Sequence, residues 1–213
     1  MKTKLFAVCL LFALSGCDVG GIRGNGHIVT QEQKLEPFIN VEADGAFRIE
    51  WHIGPPAVSV TIDQNLMQYV EMEVRDRVLY VRTTRYIRPR HSINVVLTSN
   101  TLEGASFSGA SQLTAHQLTG SKFYLETTGA SKATLDGAVD ELIANITGAG
   151  DLRAESLQTK TAQVSVTGAG DARMAVSDNL KVSITGAGKV EYIGDPHIQR
   201  KITGAGSIRR RDR

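Results

Sequence analysis

The sequence predicts an all-β protein whose larger part is a right-handed parallel β-helix built from coils of roughly 18–20 residues. Three observations predict it. A short glycine-rich unit recurs six times at a near-constant step. Residues before each unit alternate apolar and polar at period two, the pattern of a strand with one buried face. No long segment carries a convincing helical period, while Gly, Thr, Ser, Val and Ile are plentiful.

Taken in chain order, residues 1–16 read as a lipoprotein signal peptide. Lys2 and Lys4 make a short positive region, and Leu5 to Leu14 an apolar run too short to span a bilayer as a helix. Leu14-Ser15-Gly16-Cys17 matches the lipobox of bacterial lipoproteins. Small residues before the cysteine suit a peptidase cleft, and the Cys17 thiol would take a diacylglyceryl group and its freed amine an acyl chain such as palmitate. Removal of residues 1–16 deletes Lys2, Lys4 and Cys9, so the net charge of +2 falls to 0 and Cys17 is the only cysteine left of two. The exported chain would then hold no internal disulfide, and Cys17 would serve for attachment. Asp18 resembles the residue that retains lipoproteins at the inner membrane in enteric-type bacteria.

Residues 17–25 read as a lipidated tether, with three glycines between Val19 and Asn25. Residues 26–94 form a strand-rich N-terminal part without the glycine unit. Its alternating runs are Phe38–Val41, Phe47–Ile53, Val58–Ile62, Val70–Val74 and Val78–Val81, separated by turns such as Gly54-Pro55-Pro56 and Asp63-Gln64-Asn65. This part would be a cap or irregular first coils, since an open coil end presents unpaired strand edges.

Residues 95–213 carry the repeat. Its units are Phe107–Gln112, Thr127–Lys132, Ile146–Asp151, Val166–Asp171, Ile184–Lys189 and Ile202–Ser207, and their first glycines fall at 109, 129, 148, 168, 186 and 204. A unit of that length is too short to bury a hydrophobic face alone, so neighbours must stack. Propeller blades need about 40 residues, twice the step. An antiparallel barrel would favour two alternating unit types. Stacking predicts an interior ladder of Phe107, Thr127, Ile146, Val166, Ile184 and Ile202. It also predicts an outward hydroxyl ladder of Ser108, Thr128, Thr147, Thr167, Thr185 and Thr203, and a second apolar ladder of Leu113, Ala133, Leu152, Ala172, Val190 and Ile208. Arg209–Arg213 supplies charge that discourages end-to-end stacking.

These glycine units, with Phe38, Val41, Gly45, Val60, Asn65-Leu66, Val74, Leu79 and Val81 before them, resemble the putative auto-transporter adhesin, head GIN domain family over roughly residues 35–210. The resemblance implies a β-helical fold in a bacterial envelope protein and carries no catalytic residues over. One departure is Asp76-Arg77, where the family usually has an Asp-Gly turn.

The residue after each bend reads Gln112, Lys132, Asp151, Asp171, Lys189 and Ser207. Register would place Asp151 and Asp171 about 5 Å apart, a carboxylate ladder that could do acid and base work on a glycosidic bond. Flanking lysines favour a solvated charge ladder instead. Arg82, Arg85, Arg88 and Arg90, with His91, Tyr80 and Tyr86, form a basic cluster. It would bind anionic glycan or lipid headgroups, or shield an edge strand. The histidines at 27, 52, 91, 116 and 197 show no metal-ligand spacing, and no cofactor motif is present. An exported chain of zero net charge gives no reason to expect nucleic acid.

The expectation is therefore a non-enzymatic lipoprotein of the cell membrane or outer membrane, lipid-anchored and facing the periplasm or surface. Its role would be structural, adhesive or ligand-presenting, with glycan or an envelope protein as partner. The alternatives are a carbohydrate-active enzyme using Asp151 and Asp171, or an accessory protein of an envelope complex. Oligomeric state is left open by the residues.

Overall fold

The computed structural model describes residues 20–212, so the signal peptide, the lipobox and Cys17 lie outside the described residues. The described chain is nearly all strand. Before the repeat it forms β1 (Ile22–Arg23), β2 (Ile28–Lys34), β3 (Asn40–Gly45), β4 (Phe47–Ile53), β5 (Ala57–Asp63), β6 (Val70–Arg75), β7 (Val78–Thr83), β8 (Ile87–Arg88) and β9 (Ile93–Ser99). A short 3-10 helix covers Gln64–Tyr69. The repeat forms β10 (Gly104–Gly109), β11 (Gln112–Gly129), β12 (Lys132–Gly148), β13 (Asp151–Gly168), β14 (Asp171–Gly186), β15 (Lys189–Ile193), β16 (His197–Gly204) and β17 (Ser207–Arg210).

The predicted parallel coils are present. β11 to β14 are long because each runs around most of a coil, and each pairs in parallel with the next. Two walls result. One stacks β7, β3, β10, the C-terminal parts of β11 to β14, and β16. The other stacks β9, β4, the N-terminal parts of β11 to β14, β15 and β17. A short side at Leu118–Gly120, Gly137–Val139 and Leu157–Thr159 joins them. The interior is one continuous apolar column, from Phe47 and Trp51 to Ile184 and Val190.

The glycine unit makes the corner, and its first glycine has two reasons to be glycine. Gly109, Gly129, Gly148, Gly168, Gly186 and Gly204 all adopt φ between 92° and 121°, where a Cβ is strained. Each also lies directly on the corner beneath. At Gly148 an added Cβ would stand 2.5 Å from the Gly129 carbonyl oxygen. That carbonyl accepts the Ala149 amide at 2.9 Å, and the Asp151 amide donates to the Ser131 carbonyl at 3.0 Å. Corner backbone is thus satisfied coil to coil, as buried polar groups require.

Two features of the N-terminal part were not foreseen. Gly45 is a seventh rung: β3 pairs with β10 so that Gly45 faces Gly109, and β4 pairs with β11. The chain then leaves this coil and returns beneath it, placing β7 under β3 and β9 under β4, both parallel. Antiparallel strands close the end, β6 on β7 and β5 then β2 on β9. Residues 26–94 therefore supply both coils and cap. Antiparallel closure lets the outermost strand end without inviting another coil in register.

The β6–β7 hairpin turns on Asp76 (φ 50°) and Arg77 (φ 63°). Two consecutive positive φ values define a primed turn, whose twist matches the flanking strands. The departure at Arg77 is accommodated by strain in a turn that would otherwise take glycine.

Candidate functional surfaces

The hydroxyl ladder sits where the repeat predicts it. Ser108, Thr128, Thr147, Thr167, Thr185 and Thr203 are in register on one wall, with Asp44 below Ser108. Ser108 donates to Asp44 at 2.5 Å. Two residues earlier a second outward row reads Glu42, Ser106, Glu126, Asn145, Ser165, Ser183 and Lys201. Strands about 4.8 Å apart make these rows a regular polar lattice.

The opposite wall is charged. Lys132, Asp151, Asp171 and Lys189 are in register, as are Arg153, Arg173, Glu191 and Arg209 beside them. Asp151 is held by Arg153 at 3.0 Å and Arg173 at 3.3 Å. Glu191 is reached by Lys189 at 2.6 Å, Arg173 at 3.4 Å and Arg211 at 3.6 Å. The Lys189 hydrogen bond, aided by the charges of Lys189 and Arg211, holds the Glu191 carboxyl below its ordinary range despite burial. Asp151 is tied to two arginines, and Asp171 faces it in register.

The basic cluster divides. Arg82 pairs with Glu71 at 2.9 Å on the exposed hairpin. Arg90 donates to the Gly24 carbonyl at 3.0 Å. Arg88 lies over the Tyr86 ring, 5.8 Å from its centroid, and Arg85 is exposed. Two of the four arginines are therefore engaged within the fold, and two stand beside an exposed tyrosine.

Fully buried Asp63 organises this end. It accepts the Gly26 amide at 2.7 Å and the Arg90 amide at 2.9 Å. Burial pushes its carboxyl up, but these backbone bonds and the charge of His91 outweigh it, so the net shift is downward. Asn65 fastens the same loop, accepting from the Asn25 amide and donating to the Arg23 carbonyl, both at 2.8 Å.

Two further features escaped the sequence reading. His52 and His116 stack with ring centroids 5.2 Å apart. His116 Nδ1 lies 2.8 Å from Asp136, and His52 Nε2 lies 3.0 Å from Glu50. Aligning Gly45 with Gly109 would have aligned these histidines, because the same sequence offset separates both pairs. Among the described residues, no group of three or more His, Cys, Asp or Glu is arranged to hold a metal ion. The second feature is a recess of about 620 Å³ lined by Ala138, Val139, Ala175, Val176 and Ile193, with both cations (Lys160, Arg210, Arg211) and carboxylates (Asp140, Asp212) on its wall, Lys160 paired with Asp140 at 2.8 Å. It lies where the coils shorten, the step from Gly168 to Gly186 being smaller than that from Gly148 to Gly168. There Glu155–Leu157 of β13 lose their partners in β14.

No helix among the described residues is long and apolar enough to cross a membrane. The family described as "Putative auto-transporter adhesin, head GIN domain" matches residues 37–196. No curated protein matches the chain. Among solved structures, a putative adhesin from Bacteroides fragilis is 20% identical, with TM-score 0.75, covering 90% of this chain and 100% of its own. A putative lipid binding protein from Parabacteroides distasonis is 21% identical, with TM-score 0.63 over 90% and 100% of the two chains. A putative adhesin from the same species is 24% identical, with TM-score 0.60 and the same coverage. At these identities the likeness establishes a shared fold.

Proposed function

The chain belongs to the putative auto-transporter adhesin, head GIN domain family, and from that membership we propose a non-catalytic envelope lipoprotein that presents a rigid polar lattice to a polymeric partner. The observation that carries the reading is the pair of in-register outward rows on the hydroxyl wall. Repeated donors and acceptors at about 4.8 Å suit a ligand that itself repeats, such as a glycan chain. Each contact is weak, and many fixed in register add without a large ordering cost. Anchoring through Cys17 would hold this surface in the envelope, and attachment by two or three acyl chains would be durable.

The test measures retention of the purified chain, from Cys17 onward, on insoluble envelope polysaccharides. Replacing Thr147, Thr167 and Thr185 by Lys breaks the centre of the lattice while leaving the interior intact. A tenfold loss of retention is expected, and retention equal to the parent would refute the reading. Mass spectrometry of the mature N-terminus from fractionated envelopes checks the anchor; an unacylated terminus would remove it.

The recess supports a second reading. Its apolar floor suits a single acyl chain, and one fold neighbour is a putative lipid binding protein. Displacement of a fluorescent fatty acid, lost on Val176→Arg, would favour it.

A further inference from the structure

We propose that the small β1–β8 sheet is a membrane-facing platform that rests on anionic phospholipid headgroups and thereby sets the direction in which the solenoid projects. The inference rests on the lipid anchor proposed above. Gly20 follows Cys17 by three residues, so at most about 11 Å of chain separates the described fold from the attachment point. The platform therefore lies within roughly a Debye length or two of any bilayer that holds the anchor.

What stands there has the chemistry of an interface. β1 pairs in parallel with β8, the Ile22 amide donating to the Tyr86 carbonyl at 3.0 Å and the Gly24 amide to the Arg88 carbonyl at 2.9 Å. Tyr86 is 59% exposed, the most open large hydrophobic side chain of the described residues. Its ring lies against Gly21, where an added Cβ would stand 2.7 Å from Tyr86 Cδ1. The ring is thus seated on the tether itself, and Arg88 covers it. Tyrosine, with an apolar body and a polar tip, favours the headgroup level.

Charge supplies the second argument. Among the described residues, none of the ion pairs uses Arg23, Arg85 or Arg88, whereas Arg82 is spent on Glu71. A cation near an anionic leaflet raises surface partition about fivefold, and three together about a hundredfold. The platform is also held in place. Asp63 binds the Gly26 and Arg90 amides, and Asn65 binds the Asn25 amide and Arg23 carbonyl. A surface docked through it would orient the whole stack. The Gly45 and Gly204 rungs are six steps apart, which carries the last coil about 29 Å further along the stack.

The experiment uses the chain from Cys17 onward, which contains every described residue and one thiol. The thiol is coupled to a maleimide lipid in vesicles, so attachment does not depend on lipidation in the cell. Tyr86→Trp provides a fluorophore, while buried Trp51 contributes a constant background. Brominated lipids should quench the new tryptophan at least threefold more in vesicles of phosphatidylglycerol mixed with phosphatidylcholine than in pure phosphatidylcholine. The excess should vanish in Arg23→Gln/Arg85→Gln/Arg88→Gln, whose melting temperature should match the parent. Equal quenching in both vesicles, or an excess that survives the triple substitution, overturns the platform. Because coupling is chemical, an unacylated N-terminus in cells would overturn the anchor without altering this result.

Discussion

Replacing Gly148 by alanine tests the corner geometry most directly. Gly148 has φ 108°, and a side chain at such φ costs at least about 1–2 kcal/mol. The new Cβ would stand 2.5 Å from the Gly129 carbonyl oxygen, roughly 1 Å inside ordinary contact. Neither coil can yield without stretching the 2.9 Å bond from the Ala149 amide to that carbonyl. Weakening this bond costs about 1 kcal/mol, and overpacking adds about 1–3 kcal/mol. Against these, alanine restricts the unfolded chain and returns about 0.4–1 kcal/mol. The net expectation is a loss of about 3–4 kcal/mol, or about 6–16 °C in melting temperature for a chain this size. Calorimetry or circular dichroism on the chain from Cys17 onward reads it. Ala149→Ser, at the exposed next residue, should change the melting temperature by less than about 2 °C. A Gly148→Ala shift no larger than that control would refute the claim that coil-on-coil contact requires glycine.

Three other outcomes follow from single residues. Thr127 is 3% exposed in the interior ladder, and its hydroxyl is the buried side-chain polar atom without a partner among the described residues; Thr127→Val should stabilise by about 1 kcal/mol, seen as a higher denaturant midpoint. Arg77 sits at φ 63° in the β6–β7 turn, so Arg77→Gly should relieve about 1 kcal/mol and raise the melting temperature by a few degrees. Asp63→Asn should cost about 1–2 kcal/mol near neutral pH, where the carboxylate accepts two amides. The Asp63 carboxyl is held below its ordinary value of 3.8 in the fold. Its stabilisation is therefore fully present above that value and is lost as pH falls through the lower folded value. Denaturant midpoints from pH 7 to pH 3 should show the gap between parent and variant constant at first and shrinking below about pH 4. A gap that widens there would refute the assignment.

The repeat was legible because its constraint is local. A corner that needs positive φ and a bare Cα selects glycine at every coil, so Gly109 to Gly204 announce both the corner and the step. Register then follows, and with it the hydroxyl row, the facing of Asp151 and Asp171, and the interior ladder from Phe107 to Ile184; the predicted sixth rung, Ile202, is instead exposed, because only β16 of the last coil covers that wall. Gly45 obeys the same rule but stands alone in sequence, several coil lengths before Gly109, and no period marks it. The stacked His52 and His116 were hidden with it. The basic cluster was visible as composition, but its partners were not. Glu71, Gly24 and Asp63 come to Arg82 and Arg90 from elsewhere in the chain.

By itself, then, the sequence determined the coil: alternation sets which side chains face inward, and glycine sets where the chain bends. It also holds the Leu14-Ser15-Gly16-Cys17 pattern on which the proposed anchor rests. The tertiary structure decided the order of the N-terminal strands in space, the antiparallel cap, the recess where coils shorten, and which arginines of the basic cluster enter ion pairs or hydrogen bonds within the fold. These depend on pairings between segments far apart in the chain, and many registers satisfy the same alternation. Which pairing prevails is settled by the summed burial and hydrogen bonding of the whole stack.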